Sequence, residues 1–244
     1  ARDHPQIYPQ PGWVEHDAEL LYANTLAALG TLAARQAHQL AHCACLSISN
    51  QRETFVVFER ETGRPLHHAI VWQCRRGDDV CRRLAHDGHA EYITARTGLP
   101  LDSYFPAPKL TWLLEQRPDI RGALTSGRAL FGTIDTYLIY RLTRGTVHAT
   151  DHSNASRTLV YDIHTQAWNS ELCALFGIPP CALPEIRESA DVFGETDAEG
   201  RLPAPVPICG VMGDSQAALF AQRCFTPGSA KVTLGTGSSV LVNI

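Results

Sequence analysis

Cys43-Ala44-Cys45-Leu46-Ser47-Ile48-Ser49-Asn50-Gln51-Arg52-Glu53-Thr54-Phe55-Val56-Val57-Phe58-Glu59-Arg60 holds two short apolar runs separated by a polar step. Cys43–Ser49 and Thr54–Arg60 read as strands, and His68–Trp72 is a third such run. The second and third are joined by Glu61-Thr62-Gly63-Arg64-Pro65, a Gly/Pro turn. Strands this close in sequence are expected to pair antiparallel, as a meander.

Upstream, Asp17 to about Gln36 reads as a helix, with Leu20, Leu21, Leu26, Leu29 and Leu32 at near-helical spacing and Asp17 as its N-cap. Downstream, Arg75 to about Gln116 is helical, with breaks at Gly98-Leu99-Pro100 and near Pro106 and Pro108. Ala129–Thr133 reads as a strand and Ile134–Leu142 as a helix. The Pro-rich run Leu202–Pro207 reads as a rigid surface connection. Val206–Val211 is a short apolar run ending at Gly213, and Asp214–Cys224 reads as a helix. Lys231–Leu234 and Ser239–Val242 are two strands joined by Gly235-Thr236-Gly237-Ser238. Alternating strands and helices beside an early meander predict an α/β fold with a mixed sheet flanked by helices.

Composition narrows the function. Among 244 residues, Lys plus Arg is 21 and Asp plus Glu is 25, a net charge of -4, without the basic excess of a nucleic-acid-binding domain. The longest mostly apolar stretch, around Leu20 to Ala34, is broken by Asn24, Thr25 and Thr31, so no membrane span is expected. Ala1-Arg2-Asp3-His4-Pro5 is polar and lacks the apolar core of a secretory leader. The 8 cysteines are spread along the chain, which predicts reduced, buried thiols in a cytoplasmic protein. Cys43-x-Cys45 has no second pair to complete a zinc site, so no metal ligands are assigned.

Polar groups gather at the ends of apolar strands, where open α/β sheets bind ligands. In Asn50-Gln51-Arg52-Glu53, Arg offers a rigid fork of donors and Glu a pair of acceptors, a combination able to hold adjacent hydroxyls of a polyol. The same residues also fit an exposed hairpin tip with a surface ion pair. Trp72 ends a strand, where its ring can stack on the carbon side of a sugar or simply join the core. In Gly213-Asp214-Ser215-Gln216 a strand runs into a helix, and Asp214 reads either as an N-cap or as a general base at the sheet edge. Gly235-Thr236-Gly237-Ser238 fits backbone approach to a phosphate, and fits an ordinary tight hairpin equally well.

Several long strings occur together and in order. They include Tyr8-Pro9-Gln10-Pro11-Gly12-Trp13-Val14-Glu15-His16-Asp17, Ser49-Asn50-Gln51-Arg52-Glu53-Thr54 and Ala69-Ile70-Val71-Trp72-Gln73-Cys74-Arg75-Arg76. Leu130-Phe131-Gly132-Thr133-Ile134-Asp135-Thr136, Asp151-His152-Ser153-Asn154-Ala155-Ser156-Arg157-Thr158, Gly213-Asp214 and Gly235-Thr236-Gly237 follow. With these the chain resembles the amino-terminal domain of the FGGY sugar kinases, most closely the glycerol kinases. The resemblance implies a ribonuclease-H-like, actin-like ATPase domain and transfer of the ATP γ-phosphoryl group to a primary hydroxyl. It implies that Arg52, Glu53, Tyr104 and Ser215 touch the polyol, that Trp72 stacks on its carbon chain, and that Asp214 also touches it and takes the hydroxyl proton. Gly235, Thr236 and Gly237 correspond to the contact with nucleotide phosphate. ATP and Mg²⁺ are the implied cofactors, a small polyol or sugar the implied partner, and a homo-oligomer of the full-length protein is compatible with it.

Two positions depart from the glycerol-kinase pattern. Those enzymes carry Gln where this chain has Ser215, and a Phe two residues past the Gly-Thr-Gly where it has Ser239. Glycerol, converted to glycerol 3-phosphate, is the first substrate expected, with a longer polyol or a ketose as the alternative. A non-catalytic sugar-binding module of the same fold is a third reading. The resemblance makes residues 1–244 the amino-terminal substrate-binding domain of a protein roughly twice this length. Its first phosphate-binding hairpin would precede Ala1, and its nucleotide domain would follow Ile244. On its own the chain is therefore expected to be inactive.

Overall fold

The computed structural model describes residues 2–234 and 238–244. From the amino terminus, β1 (Glu15–His16) leads to α1 (Ala18–Arg35) and α2 (Ala37–Leu40), then β2 (Leu46–Asn50), β3 (Phe55–Glu59) and β4 (Ala69–Ile70). Helices α3 (Asp78–His86), α4 (Ala90–Thr97), α5 (Pro106–Gln116) and α6 (Pro118–Thr125) precede β5 (Ala129–Thr133) and α7 (Ile134–Leu142). Next come β6 (Ala149–Asp151), α8 (His152–Ala155), β7 (Tyr161–Asp162), β8 (Ala167–Trp168), α9 (Ser170–Leu175) and β9 (Glu185–Arg187). Strands β10 (Val192–Thr196) and β11 (Val206–Gly213), helix α10 (Asp214–Ala221), and strands β12 (Ala230–Thr233) and β13 (Ser239–Val242) follow.

Local chemistry explains the helices. The Asp17 carboxylate accepts from the backbone N–H groups of Glu19 (2.9 Å) and Leu20 (3.2 Å), capping α1, which buries Ala18, Tyr22 and Leu26. Pro106 opens α5 rather than breaking it, because a first-turn proline gives up an N–H that would have no partner. The helical region ends once more than expected, at Asp87–His89 between α3 and α4, where Gly88 adopts φ 84°. Helix α10 stops at Ala221 instead of Cys224.

Strand β3 is the axis of a four-stranded sheet in the order β1-β4-β3-β5. Phe55, Val56, Val57 and Phe58 are all buried, so this strand has a core on each face. Alternation sends Phe55 and Val57 toward Leu110, Leu113 and Leu124 of α5 and α6. Val56 and Phe58 go to the opposite core, with Tyr22 and Leu26 of α1 and Tyr137 and Ile139 of α7. A second sheet, β10-β11-β2, is mixed: β10 and β11 are antiparallel, β11 and β2 parallel.

The expected meander is only partly present. Strands β3 and β4 pair antiparallel through Phe55 and Ile70, but β2 leaves them and joins β11. The cause is a tight corner in the backbone. The Thr54 N–H donates to the Arg52 carbonyl at 2.7 Å, and Glu53 takes the left-handed φ of 62°. That corner turns the chain out of one sheet and into the other. All 8 cysteines are free, yet Cys45 and Cys181 lie exposed, so the thiols are not uniformly buried as expected. Within the Pro-rich run, Pro203, Ala204 and Pro205 are exposed, whereas Val206 and Pro207 already belong to β11. No helix among the described residues is long and apolar enough to cross a membrane.

His148 gives this core a pH dependence. Its Nε2–H donates to the Phe131 carbonyl at 2.8 Å, and burial lowers its pKa to about 4; burial lowers His16 to about 4 as well. Both folded values lie below that of a free imidazole, so the unfolded chain binds more protons through the intervening range. The contribution of these two histidines is therefore full above about pH 6.5 and is lost as pH falls toward 4, whereas a buried carboxylate with a raised pKa contributes in the opposite sense. At pH 5 the His148 contribution lost is on the order of 2 kcal/mol, about 4–8 °C in Tm for a chain of this size. Thermal melts at pH 7.5 and 5 should show that drop, and His148→Gln should reduce it. A midpoint equal at both pH values would contradict this.

Candidate active site

Parallel strands β2 and β11 end side by side, with Gly213 paired to Asn50. The chain thus delivers Arg52-Glu53 and Asp214-Ser215-Gln216 to one place, beyond adjacent strand carboxyl ends. Arg52 Nε lies 3.2 Å from Asp214 Oδ1 and 4.0 Å from Glu53 Oε2. Its Nη1 donates to Gln216 Oε1 at 3.2 Å and its Nη2 to Ser215 Oγ at 3.1 Å. The Nε–H itself is buried without a hydrogen-bond acceptor among the described residues. Gly213 makes this crossing possible: a Cβ there would stand 2.5 Å from Arg52 Cδ.

The exposed-hairpin reading of residues 50–53 is overturned. Asn50 and Glu53 are buried, and the Arg52 side chain is only 10% exposed. Asp214 is also not the N-cap of α10. Gly213 holds that position, and Asp214 is the first helical residue, its Oδ1 accepting from the Ser215 N–H at 2.6 Å. The Asp214 side chain stays 54% exposed, open to an incoming group.

Trp72 and Tyr104 form an aromatic pair at the side of this cluster, ring centroids 5.4 Å apart and planes at 60°. Both are partly buried and line a cleft of about 360 Å³ with Gln73, Asp102 and Ser103. Burial raises the Tyr104 phenol, and the carboxylate of Glu53 adds to the effect. Gly235, Thr236 and Gly237 lie outside the described residues. Ser239 lies on β13, where its Oγ accepts from Lys231 Nζ at 3.4 Å, away from the contacts of Arg52. A larger cavity, about 590 Å³, opens at the opposite end of β3 beside Glu59, Leu66 and Ile120. Neither cavity is lined by Arg52, Glu53 or Asp214, so volume alone does not mark the site; the smaller one carries the Trp72–Tyr104 pair.

Sequence reasoning passed over the residues that hold Glu53 and the strand ends. Arg157 Nε donates to Glu53 Oε1 at 2.6 Å and stacks its guanidinium 5.0 Å from the Phe105 ring centroid. Beneath the strand ends, Asn50 Nδ2 donates to Asn154 Oδ1 (2.9 Å) and Asp135 Oδ1 (3.3 Å). Thr150 Oγ1 donates to Asp135 Oδ2 (2.6 Å), and the Gly213 N–H donates to Ser153 Oγ (2.8 Å). Burial, reinforced by the nearby Asp151 charge, raises Asp135 to about 6. Arg157 and Asn154 belong to the string Asp151–Thr158, whose density of polar residues was the available signal.

Residues 1–221 match the model of the FGGY family of carbohydrate kinases, N-terminal domain. The chain belongs to the FGGY family of carbohydrate kinases. Its α/β architecture with mixed strand pairing is the actin-like ATPase fold of the FGGY kinases. Glycerol kinase from Symbiobacterium thermophilum is 50% identical over 238 residues, covering 98% of this chain and 48% of that protein. Glycerol kinase 1 from Thermotoga maritima is 47% identical over 241 residues, covering 99% and 49%. The crystal structure of Plasmodium falciparum glycerol kinase with ADP superposes with a TM-score of 0.91 at 35% identity, covering 99% of this FGGY chain and 48% of that one. A ligand-bound xylulose kinase from Lactobacillus acidophilus shares the fold at 20% identity and a TM-score of 0.85, covering 98% and 48%. The chain spans about half the length of the curated relatives it matches.

Proposed function

We propose that the full-length protein transfers the γ-phosphoryl group of ATP to a primary hydroxyl of a small polyol in the cytoplasm, converting glycerol to glycerol 3-phosphate. The observation that carries this reading is the partly buried Arg52 side chain. It is aimed between Glu53 and Asp214, with an Nε–H that lacks an acceptor among the described residues. A polyol hydroxyl would supply that acceptor, while Glu53 accepts from an adjacent hydroxyl. Trp72 and Tyr104 would cover the carbon chain.

Asp214 then takes the proton of the primary hydroxyl as its oxygen attacks the γ-phosphorus. One P–O bond forms to the polyol, and the bond to the bridging oxygen of ADP breaks, the electron pair leaving with ADP. Among the described residues there is no group of three or more His, Cys, Asp or Glu placed to hold a metal. Mg²⁺ arrives in this reading with the nucleotide, as Mg–ATP. In this reading residues 1–244 bind the polyol, and the rest of a protein of the relatives' length supplies the nucleotide domain and first phosphate hairpin. The test is a coupled ADP-release assay of the full-length protein against glycerol, tetritols, pentitols and ketoses. Turnover with glycerol supports the proposal; ATP-dependent turnover with none of them contradicts it and leaves a binding module.

Ser215 and Ser239 set an expectation about selectivity. The Ser215 hydroxyl is engaged by Arg52, leaving no longer amide to close around a three-carbon substrate. The double substitution Ser215→Gln with Ser239→Phe is expected to raise kcat/KM for glycerol relative to a tetritol by about 10-fold or more. An unchanged ratio would remove these two positions from substrate selection.

A further inference from the structure

Lys109 is fully buried in the first turn of α5, an unusual place for an ammonium group. Its Nζ donates to three backbone carbonyls: Tyr104 at 2.9 Å, Val71 at 3.2 Å and Trp72 at 3.3 Å. Three donors meet three acceptors, so the group is satisfied with nothing left over. Two of those acceptors belong to the two aromatic residues of the cleft, which come from different segments of the chain. Their N–H groups are tied by side chains as well, Trp72 to Thr54 Oγ1 at 3.2 Å and Tyr104 to Asp102 Oδ1 at 2.7 Å. Helix α5 can bring Lys109 this close because Gly77 lacks a side chain; a Cβ there would lie 3.0 Å from the Lys109 backbone N.

We infer that Lys109 is a positioning residue that fixes the spacing of the Trp72 and Tyr104 rings, and through it the width of the polyol cleft. An apolar side chain would fill the same volume but leave the Trp72 and Tyr104 carbonyls without this donor, while the Val71 carbonyl keeps the Cys74 N–H at 2.9 Å, freeing the two loops to separate. Lys109 does not touch the reacting atoms; it acts only through the two rings.

The kinetic part of the inference rests on the polyol-kinase reading, and the test separates the two. In the full-length protein, Lys109→Met is expected to raise the KM for glycerol on the order of 10- to 10²-fold, with the KM for ATP unchanged and kcat altered far less. Thr54→Val, a nearly isosteric change that unties the other side of Trp72, should give the same KM-only pattern more weakly. It carries the test if the Lys109 variant does not fold. Wild-type protein that phosphorylates no polyol refutes the proposed function alone. The positioning role is then read from crystal structures of the two variants, where the ring centroids should depart from their 5.4 Å separation. A wild-type glycerol KM in both variants, a parallel rise in the KM for ATP, or unmoved rings would overturn the inference.

Discussion

Asp214→Asn in the full-length protein is expected to lower kcat by about 10²–10⁴-fold while the KM for polyol changes little. The side chain is 54% exposed and stands at the edge of the cluster, so the amide fits without repacking a core. Asn still accepts from the Ser215 N–H as the carboxylate does now, which preserves the start of α10. What disappears, in the proposed reaction, is the base for the hydroxyl proton. Steady-state kinetics with glycerol and ATP, accompanied by a thermal melt, separate the chemical loss from a folding defect. A variant with near-normal kcat would remove Asp214 from the reaction.

Arg52→Met should be the more damaging change to binding. Arg52 bonds Ser215 and Gln216 and faces both Asp214 and the buried Glu53. Removing it leaves Glu53 with Arg157 as its remaining ion-pair partner among the described residues. The loss of one partner from a charged cluster of this kind costs about 2–5 kcal/mol, so kcat/KM for the polyol should fall by roughly 30- to 5,000-fold. Arg52→Lys should recover little of this, because one ammonium cannot reach Ser215, Gln216 and the carboxylates together. A kcat/KM within threefold of wild type in Arg52→Met would show that the polyol binds elsewhere.

Elements governed by local signals were legible in the sequence. The Asp17 cap set the start of α1, and strand β5 and helix α7 fall on Ala129–Thr133 and Ile134–Leu142 as expected. The partner of β2 was not legible, because the register joining Asn50 to Gly213 lies far along the chain and depends on the corner at Glu53. The same distance hid the burial of Glu53. Its companion Arg157 is 104 residues away, and read locally Arg52-Glu53 is an ordinary exposed ion pair. Identification of Arg52, Glu53, Trp72, Tyr104, Asp214 and Ser215 came through the family resemblance. Their convergence at one sheet edge was expected from the rule that sites lie beyond strand carboxyl ends; the structure joins Arg52, Glu53, Asp214 and Ser215 directly and pairs Trp72 with Tyr104. Lys109 was concealed by a propensity that is normally sound: lysine in a helix reads as solvent-facing.

The most direct measurement is ³¹P NMR of the full-length protein, wild type and Arg52→Met, incubated with Mg–ATP and glycerol. The wild type is expected to build a phosphomonoester resonance at the expense of the γ-phosphate signal, at a rate that drops roughly 30-fold or more in the variant at subsaturating glycerol. Inorganic phosphate as the sole product, or a phosphomonoester formed equally fast without Arg52, would contradict a polyol-phosphorylating site at the carboxyl ends of β2 and β11.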